Sequence, residues 1–274
     1  MAAPFGLSLD LLTQLALGLV LGVIVALGAR RASLLTTGGA IAAAAVGTLT
    51  FGVGGWAPAI LLLTFFISSS LLSRQGSERK QSLAARSAKG GRRDEWQVLA
   101  NGAVPALLAA GYGLTHQEFW LVGMAGALAA SNADTWATEV GVLAHTRPRM
   151  ITNLRPVKAG TSGAISLPGS LAALAGALLI GLVASPLVGS IALLYVAGVG
   201  GLLASLLDSL LGATVQAQYV CPNCDHVTER HPTHTCGTAT VLQSGWPWMG
   251  NDLVNFAASA AGAVLTIWLW NALS

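Results

Sequence analysis

Long apolar runs fill the chain, and its basic residues are confined to the gaps between them. Runs of the length a helix needs to cross a hydrocarbon core, about 17–25 residues, fall near 9–28, 35–53, 56–73, 97–114, 119–143, 164–184, 187–211 and 249–272. The pattern predicts an all-α, polytopic transmembrane helical bundle of about eight spans, forming a single membrane domain over 1–274. The run at 35–53 is rich in Ala and Gly, and 164–184 is divided from 187–211 only by Ser185-Pro186, read as the break between two helices. Two gaps are long enough to carry structure of their own, one at 74–96 and one at 218–245.

The fifth run passes without a turn signal into Ser131-Asn132-Ala133-Asp134-Thr135-Trp136-Ala137-Thr138-Glu139. One ionised Asp at the centre of a membrane helix costs roughly 2.5–3.5 kcal/mol on insertion scales. A helix carrying Asp134 and Glu139 must therefore meet a metal, a cationic partner or a water-filled cleft. On an unbroken helix the two acids lie about 140° apart, so they line different walls of one cleft unless the helix is interrupted. Asp208, within Ser205-Leu206-Leu207-Asp208-Ser209, and Asp252, within Asn251-Asp252-Leu253-Val254-Asn255, occupy the same predicted end of their spans as Glu139. Asn101 falls one turn inside the fourth span, where a buried amide needs partners.

Composition and charge sharpen this picture. With 54% hydrophobic and 9% charged residues, an ordinary soluble domain is excluded. All 14 Lys and Arg lie in the first, third, fifth and seventh connections. The positive-inside rule puts those connections in the cytoplasm and both termini outside, with the acids facing the cytoplasm. Met1 to Asp10 lacks the basic start of a secretory signal, so none is expected. The basic cytoplasmic loop at 74–96 suits either anionic lipid headgroups or the rim of a polyphosphate site. No nucleic-acid partner is expected, and Gly-rich helix faces are candidate surfaces for a homodimer.

The fifth connection runs Lys158-Ala159-Gly160-Thr161-Ser162-Gly163 into the sixth predicted span. Free amides at a helix start, with the Thr161 and Ser162 hydroxyls and with Lys158 and Arg155 nearby, make an expected anion site. In the cytoplasmic loop at 218–245, Cys221-Pro222-Asn223-Cys224 is followed by His226, His231, His234 and Cys236. Three thiolates and one His match a closed tetrahedral zinc site, with His234 the first choice for the fourth ligand and His231 the second. Three cysteines within sixteen residues fit a metal in a reducing compartment better than a disulfide framework.

Several of these stretches together resemble one family. Arg92-Arg93-Asp94 with Gln97-Val98-Leu99-Ala100-Asn101-Gly102, the 131–141 segment, Gly160-Thr161-Ser162-Gly163, Gly212-Ala213-Thr214-Val215-Gln216 and Asn251-Asp252-Leu253-Val254-Asn255 are similar to an integral membrane family. It includes plant phytyl-phosphate kinase of the vitamin E pathway, its bacterial relatives and an animal transmembrane protein. The resemblance covers about residues 80–260. It implies transfer of a nucleotide γ-phosphoryl group to a prenyl monophosphate, and a distant similarity to CTP-dependent polyprenol kinases. The Cys-rich insert looks like a feature of bacterial members, which suggests a bacterial cytoplasmic membrane and a structural Zn²⁺.

Under that implication, Mg²⁺ bound to the NTP is expected at Asp134 and Asp208, with Glu139 and Asp252 joining directly or through water. Lys80, Lys89, Arg92, Arg93, Arg155, Lys158 and the Gly160–Gly163 turn are expected to neutralise phosphate charge. Asn101, Asn132, Asn251 and Asn255 complete the expected substrate-binding set. The prenyl tail is expected in the bilayer, between spans. Two other readings use the same residues: an ion-coupled transporter, which intramembrane acids and faint internal repeats also suit, and a nucleotidyltransferase that acts from CTP on a lipid phosphate.

Overall fold

A computed structural model describes residues 10–74, 91–144 and 146–273. In chain order its helices are α1 (Leu11–Arg31), α2 (Thr37–Gly52), α3 (Trp56–Ser73), α4 (Glu95–Thr115), α5 (Glu118–Leu143), α6 (Leu167–Val188), α7 (Ala192–Thr214) and α8 (Asn251–Leu273). Among the described residues, six helices are long and apolar enough to cross a membrane, all except α2 and α5. The eight expected runs thus correspond to eight helices, but two of them owe their place to packing instead of hydropathy. α2 is apolar and only 16 residues long.

α5 is the helix around which the others gather. It packs against α3, α4, α6, α7 and α8, and every residue from Leu121 to Ala133 is buried. A helix with protein on all sides needs no lipid-facing surface. Its sequence can therefore trade Leu and Ile for Gly, Ala and Ser, which let neighbouring backbones come close. At Gly126 a Cβ would run into the Gly262 carbonyl and Thr266 of α8.

The connections α1–α2, α3–α4, α5–α6 and α7–α8 lie at one end of the bundle, and hydrogen bonds tie them together. Asp94 caps α4 through a capping box: the Gln97 amide donates to Asp94 Oδ1 at 2.9 Å and the Asp94 amide donates to Gln97 Oε1 at 3.1 Å. That cap fixes the chain just before it. The Arg93 amide donates to the Leu34 carbonyl at 2.9 Å and the Thr36 amide donates to the Arg93 carbonyl at 3.0 Å, so the third connection is laced to the first.

Three expectations change. Ser185-Pro186 does not break a helix: α6 runs through it and ends at Gly189, which takes the left-handed conformation at φ 78°. α6 also starts later than 164, at Leu167 behind the N-cap Ser166, because Ala164–Ile165 (β2) pairs with Arg149–Met150 (β1). The Cys/His-rich segment is not a plain loop. It holds a three-stranded antiparallel sheet in the order β4 (His226–Thr228), β3 (Gln218–Cys221), β5 (Val241–Ser244), a small addition to the helical bundle. Of the basic loop at 74–96, residues 75–90, and with them Lys80 and Lys89, lie outside the described residues.

Candidate active site at the polar end of the bundle

α5 continues unbroken to Leu143, so Asp134 and Glu139 face different ways. Asp134 turns toward α7. Asp208 lies within electrostatic reach of both Asp134 and Glu229, carboxylates that come from α5 and from the residues after β4. Asp134 and Asp208 are half-buried, and Asp208 Oδ2 is shielded from solvent with no hydrogen-bond partner among the described residues. Carboxylates within electrostatic reach of one another repel unless a proton or a cation intervenes. The donor set is all hard oxygen, which suits Mg²⁺.

Glu139 faces the other wall, where its charge acts on Arg93. Burial draws the Arg93 pKa below the usual guanidinium value, and Glu139 opposes that shift. The guanidinium stands 3.2 Å from Ser69 Oγ and 3.5 Å from Ser70 Oγ at the end of α3. Arg93, Gln97, Asn101 and Thr135 together form the polar end of a cavity between the helices. Asn101 also donates from Nδ2 to the Gln97 carbonyl at 3.1 Å. Asp252, with Asn251 and Asn255, sits half-buried on the first two turns of α8 at this same end.

Other residues do not stand where the sequence suggested. Arg92 donates from Nε and Nη2 to the Leu35 carbonyl at 3.3 and 3.1 Å, bracing the α1–α2 connection. Asn132 is fully buried; its Oδ1 accepts from Ser68 Oγ at 2.9 Å and its Nδ2 donates to the Gly176 carbonyl at 2.8 Å. With both ends of its amide engaged, it ties α3, α5 and α6 together instead of holding phosphate. The Gly160–Gly163 turn does not open a helix. Ser166 caps α6 by accepting from the Gly169 amide, so the expected anion site at a helix start is not formed. Thr161 Oγ1 donates to the Lys158 carbonyl at 2.7 Å, closing a local turn, while the Lys158 and Arg155 side chains are exposed.

The turn has another use. Gly163, at φ 76°, presses on α7, where a Cβ would collide with the Ala213 backbone. Next to it, Ser162 Oγ donates to Gln216 Oε1 at 3.1 Å, and Gln216 Nε2 donates to Glu229 Oε1 at 2.7 Å. This relay joins the α5–α6 connection, the end of α7 and the sheet that follows it. Gln216 and Glu229 were not among the candidates from sequence. Gln216 closes the Gly212–Gln216 motif and could have been suspected on that ground; Glu229 carries no local signal.

In the sheet, Cys221, Cys224, His234 and Cys236 offer ligand atoms that all lie within 4.8 Å of one another. Cys221 Sγ and Cys236 Sγ are 3.5 Å apart, and His234 Nδ1 is 3.3 Å from Cys236 Sγ. Tetrahedral zinc with Zn–S bonds of about 2.3 Å places two thiolates about 3.8 Å apart, so the cluster has the right size. His231 is elsewhere, stacked on Tyr219 with ring centroids 4.5 Å apart. Hydrogen bonds from Thr238 and His234 hold the Cys236 thiol down at about 5.

Comparison with known proteins gives the same outline. The family described as "Integral membrane protein DUF92" matches residues 20–263. The "Uncharacterized membrane protein MJ0933" of Methanocaldococcus jannaschii is 34% identical over 224 residues, which span 80% of this chain and 90% of that protein. "Protein PGR" of Arabidopsis thaliana is 30% identical, over 92% of this chain and 95% of its own length. "Protein VTE6, chloroplastic" of the same plant is 24% identical, over 85% of this chain and 64% of its own length. No solved structure matches. With the match running from within α1 to within α8, the chain belongs to the DUF92 family of integral membrane proteins.

Proposed function

We propose that this chain is a membrane lipid kinase, an isoprenoid phosphate kinase that transfers the γ-phosphoryl group of a CTP-like NTP to a prenyl monophosphate, giving the prenyl diphosphate. One observation supports the reading: Asp134 and Asp208, on different helices, are half-buried and within electrostatic reach of each other, and among the described residues Asp208 Oδ2 has no hydrogen-bond partner. Carboxylates so arranged ask for a cation, and the cationic side chains of Arg93, Arg155 and Lys158 belong to connections at the same end of the bundle. Membership of a family that resembles the plant phytyl-phosphate kinase supplies the substrate class, a prenyl phosphate of phytyl or geranylgeranyl type.

Asp134 and Asp208 would hold Mg²⁺, with Glu229 close enough to assist and with Asp252 and Glu139 on the rim. When bound, the metal would screen the nucleotide phosphates and withdraw charge from the γ-phosphorus. A prenyl monophosphate has its second pKa near ~6 and is mostly a dianion at pH 7, so its oxygen can attack without a protein base. The new bond joins that oxygen to the γ-phosphorus, the bond to the β,γ-bridging oxygen breaks, and NDP leaves. What the protein must do is align two anions and offset their repulsion. Arg93 is placed for the acceptor phosphate, while Lys158 and Arg155 can reach the nucleotide from the exposed connection. By the distribution of Lys and Arg, this end faces the cytoplasm and both termini lie outside. A structural Zn²⁺ at Cys221, Cys224, His234 and Cys236 would hold the sheet that presents Glu229.

The test is NDP release by purified protein, screened over four NTPs and prenyl monophosphates of several lengths. Release of CDP or another NDP that requires the prenyl phosphate is expected. Pyrophosphate in place of NDP would replace the kinase with a nucleotidyltransferase, and substrate flux into liposomes without nucleotide would replace it with an ion-coupled transporter.

A further inference from the structure

The cavity whose polar end is formed by Arg93, Gln97, Asn101 and Thr135 is apolar elsewhere except for Thr50 and has a volume of about 210 Å³. α1 and α3 face each other across it, with α2 and α4 behind. α1 packs mainly on α2, so the gap between α1 and α3 is a side opening toward lipid. Small residues on α1 and α2, among them Gly22, Ala26, Ala43 and Gly47, leave the interior wide. At the far end Phe51 and Trp56 meet edge to face, with centroids 4.7 Å apart, and close the floor. On α3 the lining runs from Phe66 near the polar end to Trp56 at the floor. At ~1.5 Å per residue that is a depth of about 15 Å, and half of the ~30 Å hydrocarbon core.

Thr135 follows Asp134 on α5, so the polar end of this cavity and the acidic place are adjacent sides of one helix about 10–12 Å across. Resting on the prenyl-phosphate reading above, we propose that this cavity seats the tail of the acceptor lipid, entered from the bilayer between α1 and α3. The phosphate stays at Arg93 and the tail runs down to the Phe51–Trp56 floor. A depth of one leaflet fits a single chain of roughly 15–20 carbons. It does not fit a long polyprenol, which would have to turn at the floor. The pairing of a half-buried guanidinium with an apolar shaft selects an anionic head on one apolar chain. A two-chain phospholipid would leave its second chain outside. The floor sets which chain lengths are accepted.

A prenyl monophosphate of about twenty carbons, carrying a diazirine at its tail end, tests this directly on the full chain in lipid nanodiscs. Irradiation should label Phe51, Trp56 or their neighbours. Unlabelled prenyl monophosphate should compete, and phosphatidylglycerol should not. Ala59→Phe, at a half-buried position about one turn above the floor, should cut floor labelling at least tenfold and raise KM more for long acceptors than for short ones. Trp56→Ala, at a residue 48% exposed, should move preference toward longer chains. Labelling elsewhere, or equal competition by phospholipid, overturns the proposal. If no NTP yields NDP but prenyl phosphate still competes at the floor, the kinase reading falls and the tail site stands. If NDP release is strong while both variants keep the parent chain-length preference, the tail site falls and the kinase stands.

Discussion

Asn132→Ala separates a structural brace from a substrate ligand. The native amide links three helices through bonds of 2.9 Å with Ser68 Oγ and 2.8 Å with the Gly176 carbonyl, at a residue with 0% exposure. Truncation removes both. Ser68 keeps an alternative acceptor, the Phe65 carbonyl at 3.3 Å, so its hydroxyl is not stranded. The Gly176 carbonyl lies inside α6, where the helix ladder supplies its own donor. The loss therefore belongs at the low end of the range for buried hydrogen bonds. With interhelical bonds in membranes averaging about 0.6 kcal/mol and net values in general of about 0.5–1.5 kcal/mol, it comes to roughly 1–2 kcal/mol for the pair. For a chain of this size that is a fall in Tm of about 2–8 °C, read by thermal unfolding in detergent with NDP release measured well below the transition. A brace predicts a lower Tm with turnover within about tenfold of the parent. An unchanged Tm with turnover reduced a hundredfold would refute this reasoning and return Asn132 to the phosphate.

Asp134→Asn and Asp208→Asn should each cut NDP release by at least a hundredfold, about 2.7 kcal/mol of barrier, while the protein stays monodisperse; turnover within tenfold of the parent would count against the acidic place as the metal seat. Glu229→Gln keeps an acceptor for the Gln216 amide yet removes a charge beside Asp208. It should raise the Mg²⁺ concentration for half-maximal rate with little change in Tm, and an unaltered Mg²⁺ dependence would put Glu229 outside the site. Purified protein should carry one zinc per chain by elemental analysis. Cys224→Ser should lose that zinc and expose the remaining cysteines to maleimide, whereas full zinc in the variant would reject the four-ligand site.

The polar end of the bundle was legible because charge obeys long-range rules. Lys and Arg segregate by connection whatever the local fold, and acids inside apolar runs are costly enough that they have to be matched. The central place of α5 was not legible. Hydropathy measures what a helix offers to lipid, and a helix enclosed by five others offers it nothing. Ser185-Pro186 misled for a related reason. A Pro near the end of a helix loses few intrahelical bonds, so α6 runs on until Gly189 supplies the left-handed residue that stops it.

The site itself divides along the same line between local and distant signals. Asp134 and Asp208 could be found, since each announces itself as a charge in an apolar run. Their electrostatic coupling, with Asp208 Oδ2 left without a partner among the described residues, could not, because it depends on how α5 and α7 pack. Gly160–Gly163 shows the opposite error. A Gly-rich turn beside cations has the composition of an anion site, but composition does not say what the glycines approach. Here Gly163 approaches Ala213, and Ser162 spends its hydroxyl on Gln216. The turn thus holds the end of α7, and through Gln216 it holds Glu229, twenty-one residues beyond Asp208 in the chain and beside it in space. A loop with the composition of a phosphate site is instead bonded through Gln216 to a carboxylate that follows β4 of the Cys-rich sheet.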